Sequence, residues 1–191
     1  MNTLEAIAAR RSIRKFKDAP IPDDALQAIL TAAIQAPSPK NRQSWRFVVV
    51  SGEKRAEMVR LMRQGIATMR ARGEDTGSAE GTARIMAVAP VTLFVFYPEG
   101  MAPWLARSIH QRYMDLVNIQ TLGAAIQNML LAAQDLGIGS LWIGDILYAY
   151  DELCGWLGEL GELVAAVSLG YSDESPPARP RKPIGEVTRW M

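Results

Sequence analysis

An α+β sandwich, with helices around one small sheet, is the fold that three features of the sequence predict. At least three short apolar runs read as core strands among about five helical segments. The two kinds do not alternate as regular βαβ units, and no repeat period is present. One helical stretch is apolar almost all round, so it must be central or shared with a second subunit. The chain has 191 residues, 49% of them hydrophobic and 21% charged, which suits one compact domain with its own core.

Taken in order, Leu4 to about Ile13 has Leu4, Ile7 and Ala8 at helical spacing and runs into a basic cluster. Pro22 suits a first helical turn, and Asp23 and Asp24 follow where unpaired N–H groups favour negative charge. That helix carries Leu26, Ile29, Leu30, Ala33 and Ile34 until Pro37 and Pro39 stop it. Ser44 to Val50 is a β-branched run short enough for a strand buried on both faces. A helix over about Glu53–Arg70 follows, and then the least regular part of the chain, Ala71–Gly81.

Val91–Tyr97 is a second core strand, and Pro98, Gly100 and Pro103 make the next connection. A long helix covers about Ser108–Gln134, with its apolar stretch at Leu122–Ala133 and a C-terminal glycine cap at Gly137. Leu136–Gly144 then enters a short strand, Asp145–Cys154 reads as a weak helix, and Leu163–Leu169 is the last core strand. Residues 1–170 thus form the domain, and residues 171–191 a polar, proline-rich extension. Such an extension builds no core alone, and Ile184, Val187 and Trp190 favour its docking on another surface.

Composition removes several kinds of function. The net charge of +1 lacks the basic excess of a general nucleic-acid binder. The opening has no apolar run between its charges, and the longest apolar stretches are broken by Gln, Asp or Gly, so a cytoplasmic protein without a membrane span is expected. Cys154 has no partner for a disulfide or a metal and reads as a buried apolar thiol. His110, the one histidine, lacks the neighbours of a metal site or a catalytic triad and reads as a helix-surface residue. Glycines 137, 139 and 144 do not form G-x-G-x-x-G, and no phosphate loop of the G-x-x-x-x-G-K-[ST] type exists. Any chemistry must be brought by a cofactor.

Two basic clusters remain. Arg10, Arg11, Ser12, Arg14, Lys15 and Lys17 crowd one end, and Arg179, Arg181 and Lys182 the other. In an extended chain Arg179 and Arg181 point the same way across Pro180, and guanidinium groups grip phosphate through paired donors. The residues alone fit a phosphate site or two solvated patches equally well. Ala36–Trp45 adds a proline-stiffened polar turn that fits either a ligand edge or an ordinary helix-to-strand connection.

Four strings in this order resemble the FMN-dependent nitroreductase family: RRSIRKFKDAPI, APSPKNRQSWRFVVV, NIQTLGAAIQNMLLAAQDLGIGSLWIG and RPRKPIGEV. The resemblance implies a nitroreductase-like sandwich with a mixed, mainly antiparallel sheet, built as a homodimer with FMN in the subunit interface. It implies tightly bound FMN, NAD(P)H as electron donor and a small electron-poor acceptor such as a nitroaromatic or quinone, reduced in a ping-pong cycle.

By the same resemblance Arg10, Arg11, Ser12 and Arg14 contact the phosphate or ribityl end, and Arg179 and Arg181 close on the phosphate. Pro37, Ser38, Pro39 and Asn41 come from the partner subunit. The backbone of Trp142, Ile143 and Gly144 approaches the N5 edge of the ring, with no side chain assigned as catalytic and no metal. Some larger members carry Glu-Gly where this chain has Gly144-Asp145, so an acidic side chain at the ring edge is not implied. Two further readings stand beside this one: a specialised flavoprotein acting on C=C or carbon–halogen bonds or fragmenting its own flavin, and a non-catalytic phosphate- or nucleic-acid-binding protein.

Overall fold

The computed structural model describes residues 1–191. Four strands form one antiparallel sheet in the order β1-β2-β4-β3, with β1 Arg46–Ser51, β2 Val91–Tyr97, β3 Gly139–Ile143 and β4 Glu162–Gly170. Helices α1 Thr3–Ala9, α2 Asp23–Ala33, α3 Lys54–Ala71, α4 Ala79–Val88, α5 Ile109–Asp135, α6 Tyr150–Leu157 and α7 Ile184–Val187 surround it.

The central strand β2 is buried throughout, and its alternation divides the core into two layers. Phe94 and Phe96 point to Met58, Met62 and Ile66 of α3, Met86 of α4 and Leu153 of α6. Leu93, Val95 and Tyr97 point the other way, to Ile29 and Ala33 of α2 and Leu122, Ile126 and Met129 of α5. Helices on both faces of an antiparallel sheet give the expected α+β sandwich.

Several expectations need correction. The first helix stops at Ala9 rather than near Ile13. Asn2 and Glu5 form a capping box at its start, but Arg10 turns to extended geometry (φ −54°, ψ 132°) and Ser12 then bridges to Ser140 of β3 in parallel. Strand β1 is a sheet edge and not a doubly buried strand, which leaves Val49 39% exposed. The segment Ala71–Gly81 is only partly irregular, because α4 begins at Ala79 and carries Gly81 inside its first turn.

The expected weak helix after Gly144 divides into a 3-10 turn, Asp145–Ala149, and α6, which closes on left-handed Gly158. At 27 residues α5 has the length and mean apolarity of a membrane span despite its interruptions. One face, including Leu122, Ala125, Ile126, Met129 and Ala133, is buried in the core, whereas Ile109, Tyr113 and Leu116 are exposed. His110 lies exposed on α5, as expected. Cys154 is only half-buried, yet desolvation pushes its thiol up to about 11. The tail's Ile184, Val187 and Trp190 do not dock on their own chain and stay 75%, 61% and 89% exposed.

Candidate functional site

The two basic ends meet. Ile13 N–H donates to the Ser140 carbonyl at 2.9 Å and Lys17 N–H to the Tyr171 carbonyl at 2.8 Å, while Asp173 N–H donates to the Lys15 carbonyl at 2.9 Å. The Glu174 carboxylate accepts from the N–H groups of Arg14 and Lys15 at 2.5 and 3.2 Å. These bonds lay residues 12–17 between the free edge of β3 and the start of the tail. The chain then brings Arg10, Arg11, Ser12 and Arg14 opposite Arg179 and Arg181 around a cleft of about 600 Å3.

No carboxylate lines this cleft. None of its five arginines makes a salt bridge: Arg11 donates to the Ala8 and Arg10 carbonyls, Arg14 to the Ser12 carbonyl and Arg181 weakly to those of Arg179 and Pro180. Burial first, and then the nearby charges of Arg181 and Arg11, push the Arg10 guanidinium below its usual range. A partly desolvated concentration of unpaired positive charge is what a multiply charged anion would relieve. Of the two readings that the residues left open, solvated patches and one anion site, this geometry supports the second.

A second pocket, of about 410 Å3, adjoins the first through Arg14, which lines both. Its floor is the end of β3, with Leu141, Trp142, Ile143 and Gly144, and its wall is Ser78, Thr82 and Asp145. Ile143 is buried, whereas Trp142 is exposed. A Cβ built on Gly144 would meet no atom within 4 Å. The chain therefore leaves open space at the glycine, with the backbone uncovered.

The turn with Pro37, Ser38, Pro39 and Asn41 lines neither pocket of its own chain. The Ser38 hydroxyl accepts from Gln43 N–H at 3.0 Å, and Lys40, Asn41 and Gln43 have φ of 51°, 55° and 54°. Left-handed geometry is uncommon at non-glycine residues, and here the turn's own bonds accompany it, with Asn41 N–H donating to the Ser38 carbonyl at 3.0 Å and Arg42 N–H to the Pro39 carbonyl at 3.1 Å.

Three wall residues were not among the sequence candidates. The Asp145 carboxylate accepts from Thr82 Oγ1 at 2.5 Å and from Ser78 Oγ at 2.9 Å. Ser78 and Thr82 stand four residues apart at the start of α4, the spacing of one helix face, but that helix was itself hidden by its glycine.

Comparison with known proteins agrees with the fold. The sequence profile of the Nitroreductase family matches residues 7–171. An Archaeoglobus fulgidus protein provisionally named NADH dehydrogenase/NAD(P)H nitroreductase is 35% identical over 173 residues, covering 88% of this chain and 84% of that protein. The NADPH-flavin oxidoreductase of Vibrio harveyi is 30% identical over 192 residues, covering 97% and 72%. The crystal structure of a nitroreductase with bound FMN from Desulfitobacterium hafniense DCB-2 superposes with a TM-score of 0.77 at 31% identity, covering 100% of this chain and 99% of that one. With the profile spanning all four strands and the N-terminal arginine cluster, the chain belongs to the nitroreductase family.

Proposed function

We propose that this chain is an FMN-dependent oxidoreductase that passes reducing equivalents from NAD(P)H to a small electron-poor acceptor such as a nitroaromatic or quinone. The observation that carries the reading is the convergence of Arg10, Arg11, Ser12 and Arg14 with Arg179 and Arg181 in one cleft that continues into the open pocket at Gly144. The fit to FMN is chemical: a phosphate suits the unpaired guanidinium groups, and a flat ring suits a glycine whose Cβ position is empty. When bound, FMN supplies the two-electron hydride chemistry for which the chain has no side chain of its own.

The residues' task is binding and orientation. Arg10, Arg11, Ser12, Arg14, Arg179 and Arg181 hold the phosphate and ribityl end, with residues 171–191 completing that half. The backbone of Trp142, Ile143 and Gly144 lies along the ring edge. Pro37, Ser38, Pro39 and Asn41 serve the site of a second copy, a reading supported by their lining neither pocket of their own chain. In that homodimer the exposed apolar residues of α5 and the tail find cover.

Donor and acceptor use one opening in turn. Varying both in steady state should give parallel double-reciprocal lines, after anaerobic reduction of the purified yellow protein by NADH or NADPH and reoxidation by a panel of acceptors. Protein that takes up no FMN, or lines that intersect, would contradict the reading.

Gly144→Val separates the ligand's needs from those of the fold. Since no atom lies within 4 Å of the added Cβ, the apoprotein should keep its urea midpoint, whereas FMN affinity and turnover should fall at least about tenfold through crowding. Titration of apoprotein with FMN checks the first loss, and normal flavin occupancy with normal kinetics would refute the placement.

A further inference from the structure

We propose that Asp145 sets the charge preference of the pocket beside Gly144, so that the site takes neutral or cationic electron-poor aromatics in preference to anionic ones. The proposal rests on the flavin reading above and adds to it the class of acceptor.

Asp145 directly follows Gly144 and opens the 3-10 turn, so its side chain is part of the pocket wall. Its Oδ2 is held by two neutral donors, the buried Thr82 hydroxyl at 2.5 Å and the Ser78 hydroxyl at 2.9 Å. Hydroxyl donors fix a carboxylate in place and leave its negative charge uncancelled, whereas an arginine would neutralise it. Asp145 forms no salt bridge. Arg14 is the one other charged side chain in the lining, and it also belongs to the phosphate cleft.

With a phosphate held by Arg14 and its neighbours, the charge left facing the open part of the pocket is that of Asp145. A fixed negative charge repels a carboxylate or sulfonate on the incoming ring and attracts an alkylpyridinium or ammonium group. A different role for the same bonds is a purely mechanical tie between α4 and the exit of β3. Charge selectivity separates the two, because a tie does not distinguish between acceptors.

The test uses holoprotein of measured FMN content and three para-substituted nitrobenzenes of different charge, para-nitrobenzoate, para-nitrobenzyl alcohol and para-nitrobenzyl trimethylammonium. Each rate is taken relative to that of the same compound with Asp145→Asn. Wild-type kcat/KM should rank cation above neutral above anion, and Asp145→Asn should shrink the cation-to-anion ratio by about tenfold, with Asp145→Glu restoring it. Independently of turnover, benzoate should bind Asp145→Asn more tightly than wild type in a spectral titration, with benzamide unchanged.

An unchanged ratio and unchanged benzoate affinity in fully flavinated Asp145→Asn would overturn this proposal alone. Failure of the wild-type chain to take up FMN would overturn the cofactor reading and this proposal with it. If Asp145→Asn does not fold, the wild-type ranking decides, and a preference for the anion over the neutral compound overturns the proposal.

Discussion

Replacing Gly65 with alanine should make the protein unfold more easily, although it puts a better helix former into the middle of α3. Intrinsic propensity favours alanine over glycine inside a helix by about 1 kcal/mol. At this position, however, the new Cβ would lie 2.3 Å from Ala149 Cα and 2.8 Å from the Tyr148 carbonyl oxygen. These are backbone atoms, which do not swing aside as the end of a side chain would. Overpacking of this kind costs about 1–3 kcal/mol, and backbone contacts this short belong at the top of that range or above, so the net result after the propensity gain should be a loss of at least about 2 kcal/mol.

Gly155 of α6 supplies the control: its added Cβ meets nothing within 4 Å, so Gly155→Ala should gain up to about 1 kcal/mol from propensity. Urea midpoints of the two variants should therefore move in opposite directions. FMN uptake should fall as well in Gly65→Ala, because Ala149 ends the turn that starts at Asp145 on the pocket wall. A stabilised Gly65→Ala protein would show that α3 and the turn separate freely.

The second large effect is expected at the arginine cleft. Arg181→Ala and Arg10→Ala should each weaken FMN binding by about 1.5–3 kcal/mol, roughly tenfold to more than a hundredfold, if each guanidinium makes a charged hydrogen bond to the phosphate. The apoprotein should respond in the opposite sense. Arg10 already sits below its usual pKa through burial and through the charges of Arg181 and Arg11. Loss of Arg181 removes one of those repulsions, so the apoprotein's thermal midpoint should hold or rise while that of the FMN complex falls. Calorimetry of apo- and holoprotein checks both signs, and unchanged FMN affinity in either variant would remove its arginine from the phosphate site.

The parts of the fold that the sequence makes legible are those with strong local patterns. Strand β2 has seven apolar or β-branched residues in a row, and the helical region that becomes α5 ends in a glycine of φ 72°. What stayed hidden depends on distant partners. Arg10 to Ile13 continues the periodicity of α1 and leaves the helix because Ser140 offers backbone bonds. The run that becomes β1 looks like a core strand, and only the order of strands makes it an edge. The two arginine clusters were visible, but that they line one cleft is seen only in the fold. Asp145 was visible as a departure from the family string, whereas its hydroxyl partners lie 67 and 63 residues away.

The bonds that lay residues 12–17 between Ser140 and Glu174 also impose an order on biosynthesis. Arg14 leaves the ribosome 160 residues before the carboxylate that fixes its backbone. The strand edge at Ser140 is made earlier, but the opposing arginines, Arg179 and Arg181, come later still. The anion cleft therefore needs both ends of the sequence at once, and its lining is complete only when Arg181 has been made.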